Sequence, residues 1–436
     1  MFIALVWGVV IVVALGLWYA YVGCKDVFHP LMFICPMMAF MYAWMPLKLD
    51  SIGGLAGFFQ GDQLEYVQFI TFSGVACFVL GCLSVGCRLP AVRTPEPKVS
   101  ATVLVAWGAV LGCIGVVAWT VAAIHGTGGD ITGYRGGWDD SGYIRDASLL
   151  MFPAFLLILS ATLQDRCRFL NLLLMALFLS PLVIEAAFSA RRGPTFMIVV
   201  IVTMGWYMNR RQRPSLLMTV SAGLLLGMLM LFLVSNRKNI YLGSDNELTT
   251  DVTSIVETPD TGNEYIYGAG TILSAEQRES FYWGWRYLAQ VLIRPIPSSL
   301  WPNKYEDIGL PELTRNAGTG EGFAETLGWR GADGSAPGLI ADLWVEFHWL
   351  NLPVLFILGA VYGFAWRQAQ LKGGAWIAQY IIMAALSIYF VMQTMEAVIF
   401  RLLILSVPMQ LAWRFARQND MPARVFDSEE QRVSVA

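Results

Sequence analysis

The chain has 436 residues, 56% of them hydrophobic and only 14% charged, with a formal net charge of −3 and a mean hydropathy of +0.56. Soluble domains carry about 25% charged residues. Here the apolar residues come in long unbroken runs, so the composition excludes a soluble globular protein and points to a polytopic membrane protein. The slight negative charge leaves no footprint for nucleic acid.

The first apolar run, Phe2 to Val22, has no basic leading region and no Ala-x-Ala-like cleavage site, so it reads as a span and not a cleaved signal. In chain order the expected spans are 2–23, 29–47, 65–87, 101–124, 147–164, 168–190, 194–209, 215–235, 338–366, 375–393 and 396–413. Lipid admits only helices or closed barrels, and runs of this length are helices. The expected fold is therefore an all-α polytopic membrane protein of about 11 transmembrane helices. Residues 1–235 hold eight spans, 236–337 one large loop, 338–413 the last three spans, and 414–436 a polar tail. Arg88–Ser100, with three prolines, reads as a linker. All 7 cysteines lie in spans or short loops without zinc-type spacing, so neither structural disulfides nor a metal is expected.

Short-loop Lys and Arg set the expected orientation. Placing 88–100 inside also puts Lys25, Arg166, Arg168, Arg210, Arg211, Arg213, Arg367, Lys372 and the tail arginines inside, a total of 15 basic residues. The other side holds 6: Lys48, Arg135, Arg145, Arg191, Arg192 and Arg401. This puts the N-terminus and the 236–337 loop outside and the C-terminus inside. Arg191 and Arg192 then stand in a short external turn, Ser189-Ala190-Arg191-Arg192-Gly193-Pro194, against the charge rule. They read either as snorkelling arginines or as an anion site backed by the helix that Gly193 and Pro194 open.

The loop holds 8 of the 29 Lys and Arg and is far longer than a connector needs. It opens on Asn236-Arg237-Lys238. Ser274–Ile293 has the periodicity of one amphipathic helix, with Ser274 and Gln277 at capping-box spacing and Phe281, Trp285, Leu288, Ala289 and Leu292 on one face. Such a helix can lie at headgroup level with Tyr282, Trp283 and Trp285 as anchors, and Trp283, Trp301 or Trp329 can alternatively face sugar rings. Between Arg294 and Lys304, prolines 295, 297 and 302 predict a stiff extended path. Arg315–Pro337 is Gly-rich and carries Glu321, Glu325, Arg330 and Asp333, a composition suited to a substrate loop. It has no nucleotide-type glycine spacing. After Pro337, Asp342 and Glu346 are four apart and share a helix face. Carboxylates in an apolar segment imply an ion pair or a catalytic role, and Glu185 and Glu396 pose the same choice. His348 follows closely.

The ordered set is an external Arg-Arg-Gly-Pro turn, an arginine just after the eighth span, Arg-Pro-Ile-Pro-Ser-Ser-Leu-Trp-Pro-Asn-Lys, and Ala-Pro-Gly-Leu-Ile-Ala-Asp-Leu-Trp-Val-Glu-Phe before the final spans. It resembles the Wzy-type oligosaccharide repeat-unit (O-antigen) polymerases of bacterial surface polysaccharide synthesis, over residues 180–366 in motifs and the whole chain in topology. Members commonly carry a Phe/Tyr-Gly-Trp-like turn after the re-entry helix, where this chain has Glu346-Phe347-His348-Trp349-Leu350-Asn351.

The resemblance implies a GT-C-like glycosyltransferase of the bacterial inner membrane, working at the periplasmic face. It would join undecaprenyl-diphosphate-linked repeat units, with a chain-length regulator and a flippase as partners and no cofactor. Diphosphate leaves as a stable anion, so the site needs arginine forks for the leaving group; Arg191, Arg192, Arg237, Arg294 and Arg315 are the candidates. The acceptor hydroxyl needs a proton acceptor, for which Asp342 and Glu346 lead and Glu321 and Glu325 follow. The rival readings are an O-antigen ligase that passes glycan to the lipid A core, a lipid-linked oligosaccharide flippase, and a non-catalytic scaffold.

Overall fold

A computed structural model describes residues 1–87, 99–125, 142–164, 169–188, 192–236, 264–297, 300–310 and 336–417. Among these described residues ten stretches are helical, long and apolar enough to cross a membrane: 2–24, 30–51, 61–86, 101–124, 146–164, 169–187, 216–233, 338–372, 374–392 and 395–416. The remaining expected span, 194–209, is the shorter apolar helix Gly193–Asn209. The protein is thus an all-helical, multi-pass membrane protein; among the described residues the only β-pairing is an isolated bridge between Val99 and Arg417.

Besides two short helices at Gly142–Ser148 and Lys304–Asp307, left unlabelled, the helices begin with α1 (Phe2–Cys24), α2 (Pro30–Ser51, with a π-helical stretch at Phe40–Trp44), α3 (Gly61–Gly86), α4 (Ala101–His125), α5 (Met151–Gln164), α6 (Phe169–Phe188), α7 (Arg192–Asn209) and α8 (Leu216–Ser235). Then come α9 (Glu264–Arg278), α10 (Trp285–Leu292), α11 (Gly338–Phe347), α12 (Asn351–Lys372), α13 (Gly374–Ala385), α14 (Ser387–Met392) and α15 (Met395–Ala416). Ion pairs and bridges sort their ends. The Met1 amino group meets Glu65 at 2.8 Å at one end, the loop end. At the other, the tail end, Arg213 meets Asp26 at 2.6 Å and Val99 pairs with Arg417.

The tightest contact is between α3 and α12. A methyl group added at Gly359 would lie 2.1 Å from the Phe78 carbonyl oxygen, at Gly363 2.4 Å from that of Cys82, and at Gly81 1.9 Å from that of Phe356. Glycine at these positions lets the two backbones touch, the way apolar spans gain packing when lipid competes equally for their side chains.

The stretch 338–366 departs from the single span expected of it. A straight helix would separate Ile340 and Leu355 by about 22 Å. Instead both reach the same point on α3, where an added methyl on Gly74 would lie 3.3 Å from Ile340 and 2.9 Å from Leu355. The chain therefore reverses between them, at the His348–Leu350 turn of 3₁₀ helix. Gly74 is the fourteenth residue of α3 and so about 20 Å below its start. α11 climbs from that depth to the loop end, and α12, whose 22 residues reach about 33 Å, runs back down.

The polar loop is also partly inside the bundle. The helix expected at Ser274–Ile293 is two helices. α9 starts ten residues earlier, and Ser274 lies in its interior, buried, so it is no cap. α9 packs along α11 so closely that an added methyl on Gly268 would sit 2.5 Å from the Pro337 oxygen. The Tyr265 hydroxyl donates to Gln68 Oε1 at 2.9 Å. The 264–273 stretch is buried throughout, although its sequence has no long apolar run to announce this. Its glycines, alanine and tyrosines serve close packing, and a small residue allows that without being strongly apolar.

Candidate functional site at the loop end

Between α9 and α10 the backbone turns sharply, with positive φ at Glu279 (50°), Trp283 (53°) and Gly284 (85°). Such conformations are costly for residues with a side chain and persist where surroundings hold them. Here the end of α11 does so: the Tyr282 amide donates to the Val345 oxygen at 3.1 Å and the Trp283 amide to the Glu346 oxygen at 2.6 Å. This reversal is the break in the expected single helix. It aims the first turn of α10 inward.

The residue aimed inward is Arg286, only 1% exposed. Its Nη2 donates to Asp342 Oδ1 at 2.6 Å, its Nε to Glu346 Oε1, and Glu396 Oε1 lies 3.3 Å from the same Nε. Asp342 is further held by the Tyr287 hydroxyl at 2.5 Å and by the Met395 amide at 2.8 Å. Glu346 Oε2 accepts the Gly284 amide at 2.8 Å. Glu396 Oε1 has no hydrogen-bond partner. The helical spacing of Asp342 and Glu346 thus brings both carboxylates onto one arginine from the loop, and α15 adds a third. Burial opposes the charge of Arg286, but Asp342, Glu396 and Glu346 outweigh it and hold the guanidinium well above its ordinary range. Burial, with Asp342 and Glu346 adding to it, pushes the Tyr287 phenol up, so it stays a donor.

α10 leads to a second cation. Arg294 Nη2 donates to Asp146 Oδ2 at 2.7 Å, its guanidinium stands 4.0 Å over the Phe400 ring, and 30% of its side chain is exposed. The following segment does not take the extended path expected from its prolines. It curls: the amides of Leu300 and Trp301 both donate to the Pro297 oxygen, and Lys304 Nζ donates to the oxygens of Ile293 (3.5 Å), Arg294 (3.1 Å) and Ile296 (2.5 Å). A single buried ammonium collects the carbonyls and closes the turn. Burial, and then Arg294, lower the Lys304 pKa.

The α11–α12 turn carries a histidine in strained geometry, with φ 48° and ψ −130° at His348. His348 Nε2 lies 3.1 Å from Glu276 Oε1, which also accepts from the Trp344 indole at 2.9 Å. In the neutral ring, donation from Nε2 to Glu276 leaves Nδ1 as the acceptor nitrogen. Around it stand Phe281 (4.4 Å between ring centroids), Trp344 (4.9 Å) and Trp349 (5.9 Å), with Trp283 6.2 Å from Phe281. Trp283 and Trp349 are 60% and 43% exposed.

Of the expected site residues, the structure brings together Asp342 and Glu346, places Arg294 just past the helix that carries their arginine, and sets Trp283 against the His348 turn. Trp301 stands apart, its indole donating to Asp307 Oδ2 at 2.6 Å. Arg191, Arg237, Arg315, Glu321, Glu325 and Trp329 lie outside the described residues, as does the side chain of Arg192, at which α7 begins. Sequence reasoning passed over Arg286 and Glu276. Arg286 looked like the polar face of an amphipathic helix. The signal that could have found it was the need of two buried carboxylates for a cation. Compared with family models, curated proteins and solved structures, the chain matches none.

Proposed function

We propose that the loop end is the active site of a glycosyltransferase that polymerises oligosaccharide repeat units carried on undecaprenyl diphosphate, at the periplasmic face of a bacterial inner membrane. The observation that carries this reading is that partly exposed Arg294 and an aromatic-walled His348 held by Glu276 both stand at the loop end of the bundle. Arg294 and the Arg191-Arg192 turn would neutralise the leaving diphosphate, and a bidentate guanidinium suits that oxyanion. His348 Nδ1 would take the acceptor hydroxyl's proton as the oxygen attacks the anomeric carbon and the carbon–diphosphate bond breaks. Trp283, Phe281 and Trp349 offer flat apolar walls of the kind a sugar ring stacks on. Asp342 and Glu346, whose oxygens are committed to Arg286, Tyr287 and the Met395 and Gly284 amides, would set the frame and not take the proton.

The test is a surface-polysaccharide ladder from cells producing only the variant. His348→Gln or Arg294→Gln should reduce polymer to single repeat units, a loss of at least 100-fold in long chains, with wild-type amounts of membrane-inserted protein. A normal ladder in both variants would overturn the reading. Loss of glycan from the lipid A core with lipid-linked polymer intact would instead give the ligase.

A further inference from the structure

Arg401 lies outside this account and inside an apolar span. It is the seventh residue of α15, about 9 Å along the helix from the loop end. Ionisable side chains at such positions are costly and mark sites more often than they pack. Its Nη1 donates to the Ala397 oxygen at 2.9 Å, one turn back toward the loop end. The guanidinium stands 4.4 Å from the centre of the Tyr389 ring. Among the described residues no carboxylate lies within 4.0 Å of it, and Ala397 is the one acceptor it meets, so most of its five N–H donors are uncommitted.

Tyr389 links Arg401 to the start of α7. A methyl group added to Gly193 would lie 1.9 Å from the Tyr389 hydroxyl, so the tyrosine touches the backbone of the turn that follows Arg192. Glycine is required there for the approach. A snorkelling arginine would extend away from the bundle into the headgroup region. This one folds over a ring that leads inward to the turn. On the other side Phe400, next in the chain, carries Arg294 on its face. Two guanidiniums therefore flank α15 at neighbouring residues, each on an aromatic ring, one paired with Asp146 and the other without a carboxylate among the described residues.

We infer that Arg401, seated on Tyr389 beside the first turn of α7, is a phosphate-contacting residue for a lipid-borne diphosphate. This rests on the proposed function and adds a binding residue that charge counting assigned only to topology. The aromatic seat sets the direction of the fork, and with no carboxylate beside it among the described residues the fork is open to an anion.

The experiment measures binding of farnesyl diphosphate to purified protein in detergent, by tryptophan fluorescence, with phosphatidylglycerol retention read in parallel by native mass spectrometry. Arg401→Gln should weaken farnesyl diphosphate binding at least 10-fold, and Arg401→Lys less, because lysine keeps the charge and loses the fork. Phosphatidylglycerol retention should not change. Unchanged diphosphate affinity in Arg401→Gln, with the wild type binding, overturns this inference alone. Equal losses for both lipids overturn it in favour of a general headgroup contact. No diphosphate binding by the wild type overturns the inference and the proposed function together. If Arg401→Gln does not accumulate as folded protein, the lysine variant decides: wild-type affinity in it overturns the requirement for an arginine fork.

Discussion

The two ends of the bundle each bury an arginine–carboxylate centre, and the two are built in opposite proportion. At the tail end one carboxylate, Asp26, is surrounded by donors: Arg213 Nε at 2.6 Å, Trp366 Nε1 and Gln370 Nε2 both at 2.9 Å, and the Phe28 amide at 3.1 Å. Charges match one to one. At the loop end a single Arg286 faces Asp342, Glu346 and Glu396. A saturated, neutral pair is what a structural clasp between spans requires. An acceptor-rich centre is less economical for stability alone. It sits where the loop helices enter the bundle, and Oε1 of Glu396 is left without a hydrogen bond.

The strongest way to break the comparison is to remove each arginine. Arg286→Met strands three buried carboxylates and should cost about 3–5 kcal/mol, enough to prevent folded protein from accumulating. Arg213→Met leaves Asp26 with Trp366, Gln370 and the Phe28 amide, and Arg213 is partly exposed, so about 1–2 kcal/mol is expected. Thermal unfolding in detergent ranks the two; equal losses would remove the distinction.

The next test separates the loop-end carboxylates. Glu346→Gln weakens a charge-assisted bond to Arg286 and should cost about 1.5–3 kcal/mol. Glu396→Gln breaks no hydrogen bond at Oε1 and removes surplus negative charge, so its stability should stay within about 1 kcal/mol of wild type. A Glu396→Gln loss as large as that of Glu346→Gln would show that the third carboxylate is a structural partner after all.

The last test is pH dependence at the tail end. His29 is buried, donates from Nε2 to the Gly86 oxygen at 3.0 Å and accepts the Leu31 amide at Nδ1. Burial lowers its pKa from 6.5 to about 4, partly opposed by the Gly86 bond and by Asp26. The folded protein thus favours neutral histidine. That contribution is complete above the unfolded pKa and is lost as pH falls from about 6.5 toward 4, reaching at most about 3 kcal/mol. His29→Gln should flatten this acid limb of the unfolding temperature. An unchanged acid limb would place the titrating group elsewhere.

How much was legible follows from the kind of signal each feature leaves. Long apolar runs announce helices because lipid offers the backbone no other partner, so most of the helices read correctly to within a few residues. The pairing of Asp342 with Glu346 was legible from helical spacing. The reversal at His348 was only partly legible: the resemblance set a turn at 346–351, where Glu346, His348 and Asn351 interrupt the apolar run, but the run of apolar residues on both sides still read as one span over 338–366. The break at 279–284 was silent: the apolar period continues through it, and hydrogen bonds to the Val345 and Glu346 oxygens hold the non-helical turn.

The sequence by itself therefore determined an all-helical membrane protein, the extent of most of its apolar helices, and the sharing of one helix face by two carboxylates, because these depend on local period and on lipid as solvent. Only the tertiary structure decided that the polar loop re-enters the bundle, that Arg286 is the cation those carboxylates hold, that Glu396 joins them, and that Arg401 stands on Tyr389. Each of these is a contact between residues more than ten positions apart, most of them far more. It is set by which surfaces of separate helices meet, and no local pattern records that.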